Sequence, residues 1–298
     1  MLFDPRSLVD PAFFSRLESI ELRARSLVEG SMHGLHRSPY LGLSVEFASH
    51  REYAPGDDLR HLNWKLFARH DRLYIKEYDA DTNLNLYLLL DASASMTCAN
   101  AGRSKLHYAA SIAAALAHLA LKQRDAVGLT VFSDAVTAHL PPRARPNQLD
   151  EVLATIAASE IRPATDNDRA LHQAAEFATR RGMVVVLADL FGDVDAIARG
   201  LDHLRFRNHE VIVFHIMDPW ERDLSVDGQI RFRDLESGET LTTRAEAVRE
   251  AYLEAVDAWR QSIELECRRR AIDRIELTTE DPPDRALLEY LVRRAKTF

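Results

Sequence analysis

The stretch Leu84-Asn85-Leu86-Tyr87-Leu88-Leu89-Leu90-Asp91-Ala92-Ser93-Ala94-Ser95-Met96 decides how this chain is read. Five leucines around Tyr87 make a nearly continuous apolar run, the pattern of a strand buried on both faces inside a parallel sheet. The run stops on a carboxylate, and two hydroxyls follow at alternate positions. A tight turn there aims Asp91, Ser93 and Ser95 into one oxygen-lined space. Oxygen donors suit a hard cation such as Mg²⁺, which takes about six oxygens at roughly 2.1 Å and keeps several waters. For these few residues alone, a cap on the next helix is an equal reading.

Downstream, strand and helix signals alternate. Residues 104–122 place Leu106, Ala110, Ala113, Leu116, Ala117 and Ala120 on one helical face, and 126–132 is a second apolar strand. A short hairpin partner follows at 136–140, ending at Pro141-Pro142. Helices are expected over 147–158 and 168–181, with Thr165 in the connection between them. Strand 183–187 runs into Ala188-Asp189, helix 194–206 follows, and strand 210–216 comes next. Glycines at 228 and 238 mark a surface hairpin within 219–239. A long helix over 243–269 carries the stripe Val248, Tyr252, Val256 and Trp259, suited to packing on its own sheet, and strand 273–278 and a final helix to 296 close the chain. This alternation predicts an α/β fold: a doubly wound, mostly parallel sheet with helices on both faces.

Upstream the character changes. Phe13, Leu17, Ile20, Leu22 and Leu27 predict a helix over 11–29, with Asp10 as its cap. A polar segment from 31 to 78 includes a short strand at 43–47 and a second at 73–78, expected to lie antiparallel beside the Leu84 strand across the turn at 79–83. The expected division is an N-terminal helix and polar, β-containing extension over 1–80, then the α/β domain over 81–298 with a hairpin insertion near 219–241.

Whole-chain numbers bound the function. The 298 residues carry 46 acidic and 38 basic side chains, a formal charge of -8, which argues against a broad nucleic-acid or anionic-membrane surface. Two cysteines, Cys98 and Cys267, are too few for a disulfide framework. The start lacks a basic region followed by an apolar one, and the alanine-rich stretch at 109–121 is too short to span a bilayer, so the expectation is a cytoplasmic protein with no transmembrane segment. In open parallel sheets, ligands collect beyond the carboxyl ends of the strands where the strand order reverses. Asp91 and Asp189 both sit at such ends, and Thr165 lies in a loop that can reach the same edge. Three segments therefore offer oxygens at one place, which favours a metal site over three separate helix caps.

Asp91-x-Ser93-x-Ser95 with Thr165 and Asp189 resembles the metal-ion-dependent adhesion site of von Willebrand factor A domains. The resemblance implies that Ser93, Ser95 and Thr165 bind Mg²⁺ or Mn²⁺ through their hydroxyls, with Asp91 and Asp189 acting close by, often through water. It also implies that a partner's Glu or Asp fills the open position. Further motifs, Gly34-x-His36-Arg37-Ser38, Ser44-x-Glu46-Phe47, Arg51-x-Tyr53-x-Pro55-Gly56-Asp57-Asp58-x-Arg60 and Asn63-Trp64-x-x-x-Ala68-Arg69, resemble the bacterial domain-of-unknown-function family fifty-eight. That A-domain-like group is usually encoded beside MoxR-type AAA+ ATPases, and many members carry N-terminal membrane helices.

The polar block from His33 to Tyr78 has a catalytic reading, with His36, Asp57 or Asp58 as acid or base, and a structural one. In the structural reading Arg51, Arg60 and Arg69 pair with Glu46, Asp57 and Asp58 around Trp64. No phosphate-binding glycine loop or activated nucleophile is present, so no catalytic residue is assigned. The expected function is a non-enzymatic, metal-dependent interaction module whose partner is a MoxR-type ATPase or another A-domain protein, in protein assembly or maturation. The alternative is a metal-dependent hydrolase or phosphatase using the same oxygens.

Overall fold

A computed structural model describes residues 45–52, 73–80, 84–99, 102–162 and 167–297, with the backbone alone at 45–52, 75–80, 167–168 and 293–297. They fall into two compact units, one holding 84–297 and one holding a pair of strands. In the smaller unit β1 (Val45–Glu52) pairs antiparallel with β2 (Tyr74–Ala80), with a register shift between Phe47 and Ser49. The expectation that 73–78 pairs with the Leu84 strand is therefore corrected. That strand already has a neighbour on each side, both brought in by parallel crossovers. The helix expected over 11–29, His33, His36, Asp57, Asp58, Arg60, Trp64 and Arg69 lie outside the described residues.

In the larger unit the elements alternate, beginning with β3 (Asn85–Asp91), a single 3₁₀ turn (Ala94–Thr97) and α1 (Lys105–Lys122). Then come β4 (Ala126–Phe132), β5 (Val136–Arg143), α2 (Gln148–Ala158), α3 (Asn167–Phe177), β6 (Met183–Ala188), α4 (Val194–Phe206) and β7 (Glu210–Met217). A short helix α5 (Pro219–Asp223), which the sequence reading did not anticipate, precedes the hairpin of β8 (Gln229–Arg233) and β9 (Thr240–Arg244). The chain closes with α6 (Ala245–Arg269), β10 (Asp273–Thr278) and α7 (Pro283–Thr297).

The main sheet runs β10-β7-β6-β3-β4-β5. Its strands are parallel except β5, which runs antiparallel to β4. Side chains of one strand alternate between faces, and β3 shows it directly. Leu86, Leu88 and Leu90 join Ala113 and Leu116 of α1, Ile156 of α2 and Leu287 of α7. Tyr87 and Leu89 join Ala174 of α3, Leu201 of α4 and Ile263 of α6 on the other face. The result is a mixed α/β unit whose mostly parallel sheet is covered on both sides. In α6 the fully buried positions are Ala245, Ile263 and Cys267, while the stripe Val248, Tyr252, Val256 and Trp259 is only half-buried.

Two details shape the edges. β5 carries Pro141-Pro142 within its length, and the ladder shifts register opposite Gly128, where a Cβ would stand 2.9 Å from Pro142 N. At the centre, β3 lies between β4 and β6. The chain leaves β3 toward β4 and later returns to β3's other side as β6, so the strand order reverses between β3 and β6. In parallel sheets, ligands collect beyond the carboxyl ends of the strands at such a reversal.

Candidate metal centre

Asp91 is the last residue of β3 and Asp189 is the first beyond β6, in adjacent strands paired through Leu90 and Leu187. Asp91 Oδ1 accepts a 2.8 Å hydrogen bond from Ser93 N, which folds the chain back over the strand end. Ser93 Oγ and Ser95 Oγ stand 3.0 Å apart. Asp91, Ser93 and Asp189 are buried and Ser95 is half-exposed, so the cluster opens toward solvent at Ser95. Arg162 forms a parallel bridge with Ser93, and its N–H donates to Ala92 O at 3.3 Å. Thr165, three residues further on, lies outside the described residues.

Asp189 is held differently. Its Oδ1 accepts from Phe191 N at 3.2 Å, around Leu190, which is buried and left-handed at φ 55°, a conformation costly for a residue with a branched side chain. Its Oδ2 accepts from Lys105 Nζ at 2.8 Å. Lys105, fully buried at the start of α1, also donates to Glu221 Oε1 at 2.6 Å and sits 4.7 Å from the Phe191 ring centroid. Glu221 Oε2 accepts from Asp218 N at 2.9 Å, closing a capping box on α5. One carboxylate thus caps a helix and neutralises a buried lysine.

The charges do not balance. Burial and then the neighbouring Asp189 carboxylate push Asp91 up to about 7, against the bonds from Ser93 and the more distant pull of Lys105. Burial also raises Glu221 above its ordinary value, despite Lys105. Burial works to lower Lys105, yet Asp189 and Glu221 overcome it and hold the ammonium above its ordinary range. Lys105 is committed to Asp189 and Glu221, and Asp91 is left short of positive charge. An all-oxygen set with an excess of buried negative charge fits a divalent hard cation. Among the described residues no group of three or more His, Cys, Asp or Glu side chains converges as a metal cluster, so a cation here depends on the serine hydroxyls.

Four of the five residues expected to form the site, Asp91, Ser93, Ser95 and Asp189, therefore gather at the ends of β3 and β6. Sequence reading missed three others. Lys105 and Glu221 brace Asp189, and Glu236, from the loop between β8 and β9, accepts from Ser95 N at 2.7 Å through Oε1. The Asp218-Pro219-x-Glu221 pattern is a legible capping signal for one of them. Cys98 lies just past the turn, with its thiol pushed up to about 12 by burial and by Glu221.

Fold and site together define a mixed α/β protein with a cluster of carboxylates and hydroxyls at the switch point of its sheet. The chain belongs to the family described as protein of unknown function DUF58, whose profile matches residues 49–262. It is 30% identical over 232 residues to the uncharacterized proteins Mb1516 of Mycobacterium bovis and Rv1480 of Mycobacterium tuberculosis, covering 77% of this chain and 73% of each relative. It also resembles the solved structure of an aerotolerance-related membrane protein from Bacteroides fragilis at 21% identity and a TM-score of 0.47, covering 72% of this chain and 100% of that one. Among the described residues of this chain, no helix is long and apolar enough to cross a membrane.

Proposed function

We propose that this protein is a von Willebrand factor A-like interaction module that holds Mg²⁺ or Mn²⁺ with Asp91, Ser93, Ser95, Thr165 and Asp189. The observation that carries this reading is the buried Asp91 carboxylate, raised to about 7 beside Asp189 and facing a pair of hydroxyls 3.0 Å apart. A divalent cation bound there supplies an electrophile for a carboxylate on a partner protein. Ser93 and Ser95 present hydroxyl oxygens, Asp91 supplies negative charge, and Lys105 orients Asp189 through its 2.8 Å hydrogen bond. The partner is a MoxR-type AAA+ ATPase or another A-domain protein, and the module works without chemistry of its own. Lys105 supports binding over hydrolysis, because an ammonium held above its ordinary range by two carboxylates is a poor general acid.

The test is a pull-down from a cell lysate with wild type and Asp91→Ala, each in Mg²⁺ and in EDTA. Loss of the same retained protein in the variant and in EDTA supports metal-bridged capture. Equal retention in all four samples refutes it.

A further inference from the structure

The β8–β9 hairpin brings a carboxylate of this chain onto the loop that carries Ser93 and Ser95, two of the three candidate hydroxyl ligands. Glu236 Oε1 accepts from Ser95 N at 2.7 Å, across 141 residues of sequence. The hairpin is built to present it. At its base Ala245 N donates to Gly228 O at 2.9 Å, Gly228 N donates to Glu246 Oε1 at 2.7 Å, and Arg249 reaches Asp227 Oδ1 at 2.7 Å. Near its middle the Phe232 ring lies 5.7 Å from that of Trp220. At its tip Asp234 organises the turn, accepting from Glu236 N at 2.8 Å and from Ser237 Oγ at 2.7 Å, with Gly238 taking φ 76°.

Apolar packing does not lock this tip down. Leu235, beside Glu236, is 42% exposed, and Leu241 is 61% exposed. A firmly anchored base and a polar, solvent-accessible tip describe a strap whose end can leave its seat without disrupting a core.

We propose that this hairpin is a self-inhibitory strap: Glu236 occupies the carboxylate-accepting side of the Asp91-Ser93-Ser95 centre until an incoming carboxylate displaces it. This rests on the metal-dependent reading above and adds its regulation. A partner then pays for opening the strap before it binds, so apparent affinity is lowered by the fraction of molecules that are closed.

The experiment uses the full chain as wild type, Glu236→Ala and Glu236→Gln, with far-UV circular dichroism to confirm folding. Mn²⁺ is titrated first, then glutarate is added to the Mn²⁺-loaded protein and followed by paramagnetic line broadening. Glu236→Ala is expected to bind glutarate about tenfold more tightly than wild type, the factor for a strap that leaves roughly a tenth of molecules open, and Glu236→Gln, whose amide oxygen still accepts from Ser95 N, by a smaller factor. In EDTA, amide exchange at Ser95 and at 234–239 is expected to quicken in Glu236→Ala. Equal glutarate affinity in wild type and both variants overturns the strap. If wild type takes up no Mn²⁺, the metal reading fails separately, and unchanged exchange in EDTA then overturns the strap as well.

Discussion

Lys105 Nζ stands 2.8 Å from Asp189 Oδ2, tying the first turn of α1 to the end of β6 inside a fully buried environment. Removing that ammonium leaves Asp189 and Glu221 buried without a counter-charge, which typically costs about 3–5 kcal/mol. Lys105→Met is therefore expected to lower unfolding stability in urea by that order. A variant within about 1 kcal/mol of wild type sinks this account of the pair, being far below the cost of an uncompensated buried charge.

The raised Asp91 value fixes the sign of a pH effect. Between the ordinary carboxylate value of 3.8 and about 7, the folded state holds a proton that the unfolded state has released. Stability of the metal-free protein from this group therefore falls as pH rises through that window, by on the order of 4 kcal/mol. Mg²⁺ must displace the same proton, so its stabilising effect grows with pH up to about 7. Asp91→Asn is expected to flatten both dependences and to be the more stable protein in EDTA at pH 8. Urea titrations at pH 5 and pH 8 measure it, and an unchanged pH slope in the variant contradicts it.

Both cysteines should be slow nucleophiles. Burial, then Glu221, raises Cys98 to about 12, and burial raises Cys267 to about 11. An ordinary thiol near 8.5 is appreciably ionised at pH 8, whereas one at 11 is ionised to roughly one part in a thousand. Iodoacetamide at pH 8 is expected to label the native protein at least about a hundredfold more slowly than the urea-unfolded chain. Comparable rates refute the environment assigned to these thiols.

Gly200 marks where α4 meets α3. A Cβ there would stand 2.6 Å from Leu171 Cβ, too close for the helices to keep their spacing. Alanine gains roughly 1 kcal/mol of helix propensity over glycine, but overpacking costs about 1–3 kcal/mol. Gly200→Ala is expected to be destabilised on balance, by thermal unfolding. A variant more stable than wild type shows that the helix pair yields freely.

Local patterns made most of the larger unit legible in the sequence. The leucine run of β3, the helix Val194–Phe206 and the strand Asp273–Thr278 each follow from periodicity and flanking signals within a few residues. Asp91, Ser93 and Asp189 were legible because strand ends in a parallel sheet converge by topology. Lys105 was not, since a lysine opening a helix ordinarily reads as solvated. Its burial depends on Asp189 and Glu221, 84 and 116 residues away. Glu236 is further still from Ser95. The pairing of β2 failed for the opposite reason: a short turn suggested a hairpin with β3, whose two edges are taken by β4 and β6.

The prolines in β5 acquire a meaning from their position at the end of the sheet. An outermost strand is a template on which a second chain can add itself through unpaired amides. Pro141 and Pro142 present no amide hydrogen, so the row of donors is interrupted along that border. The sheet thus stops where β5 stops, and neighbouring molecules in a crowded solution meet a broken template instead of a continuous one.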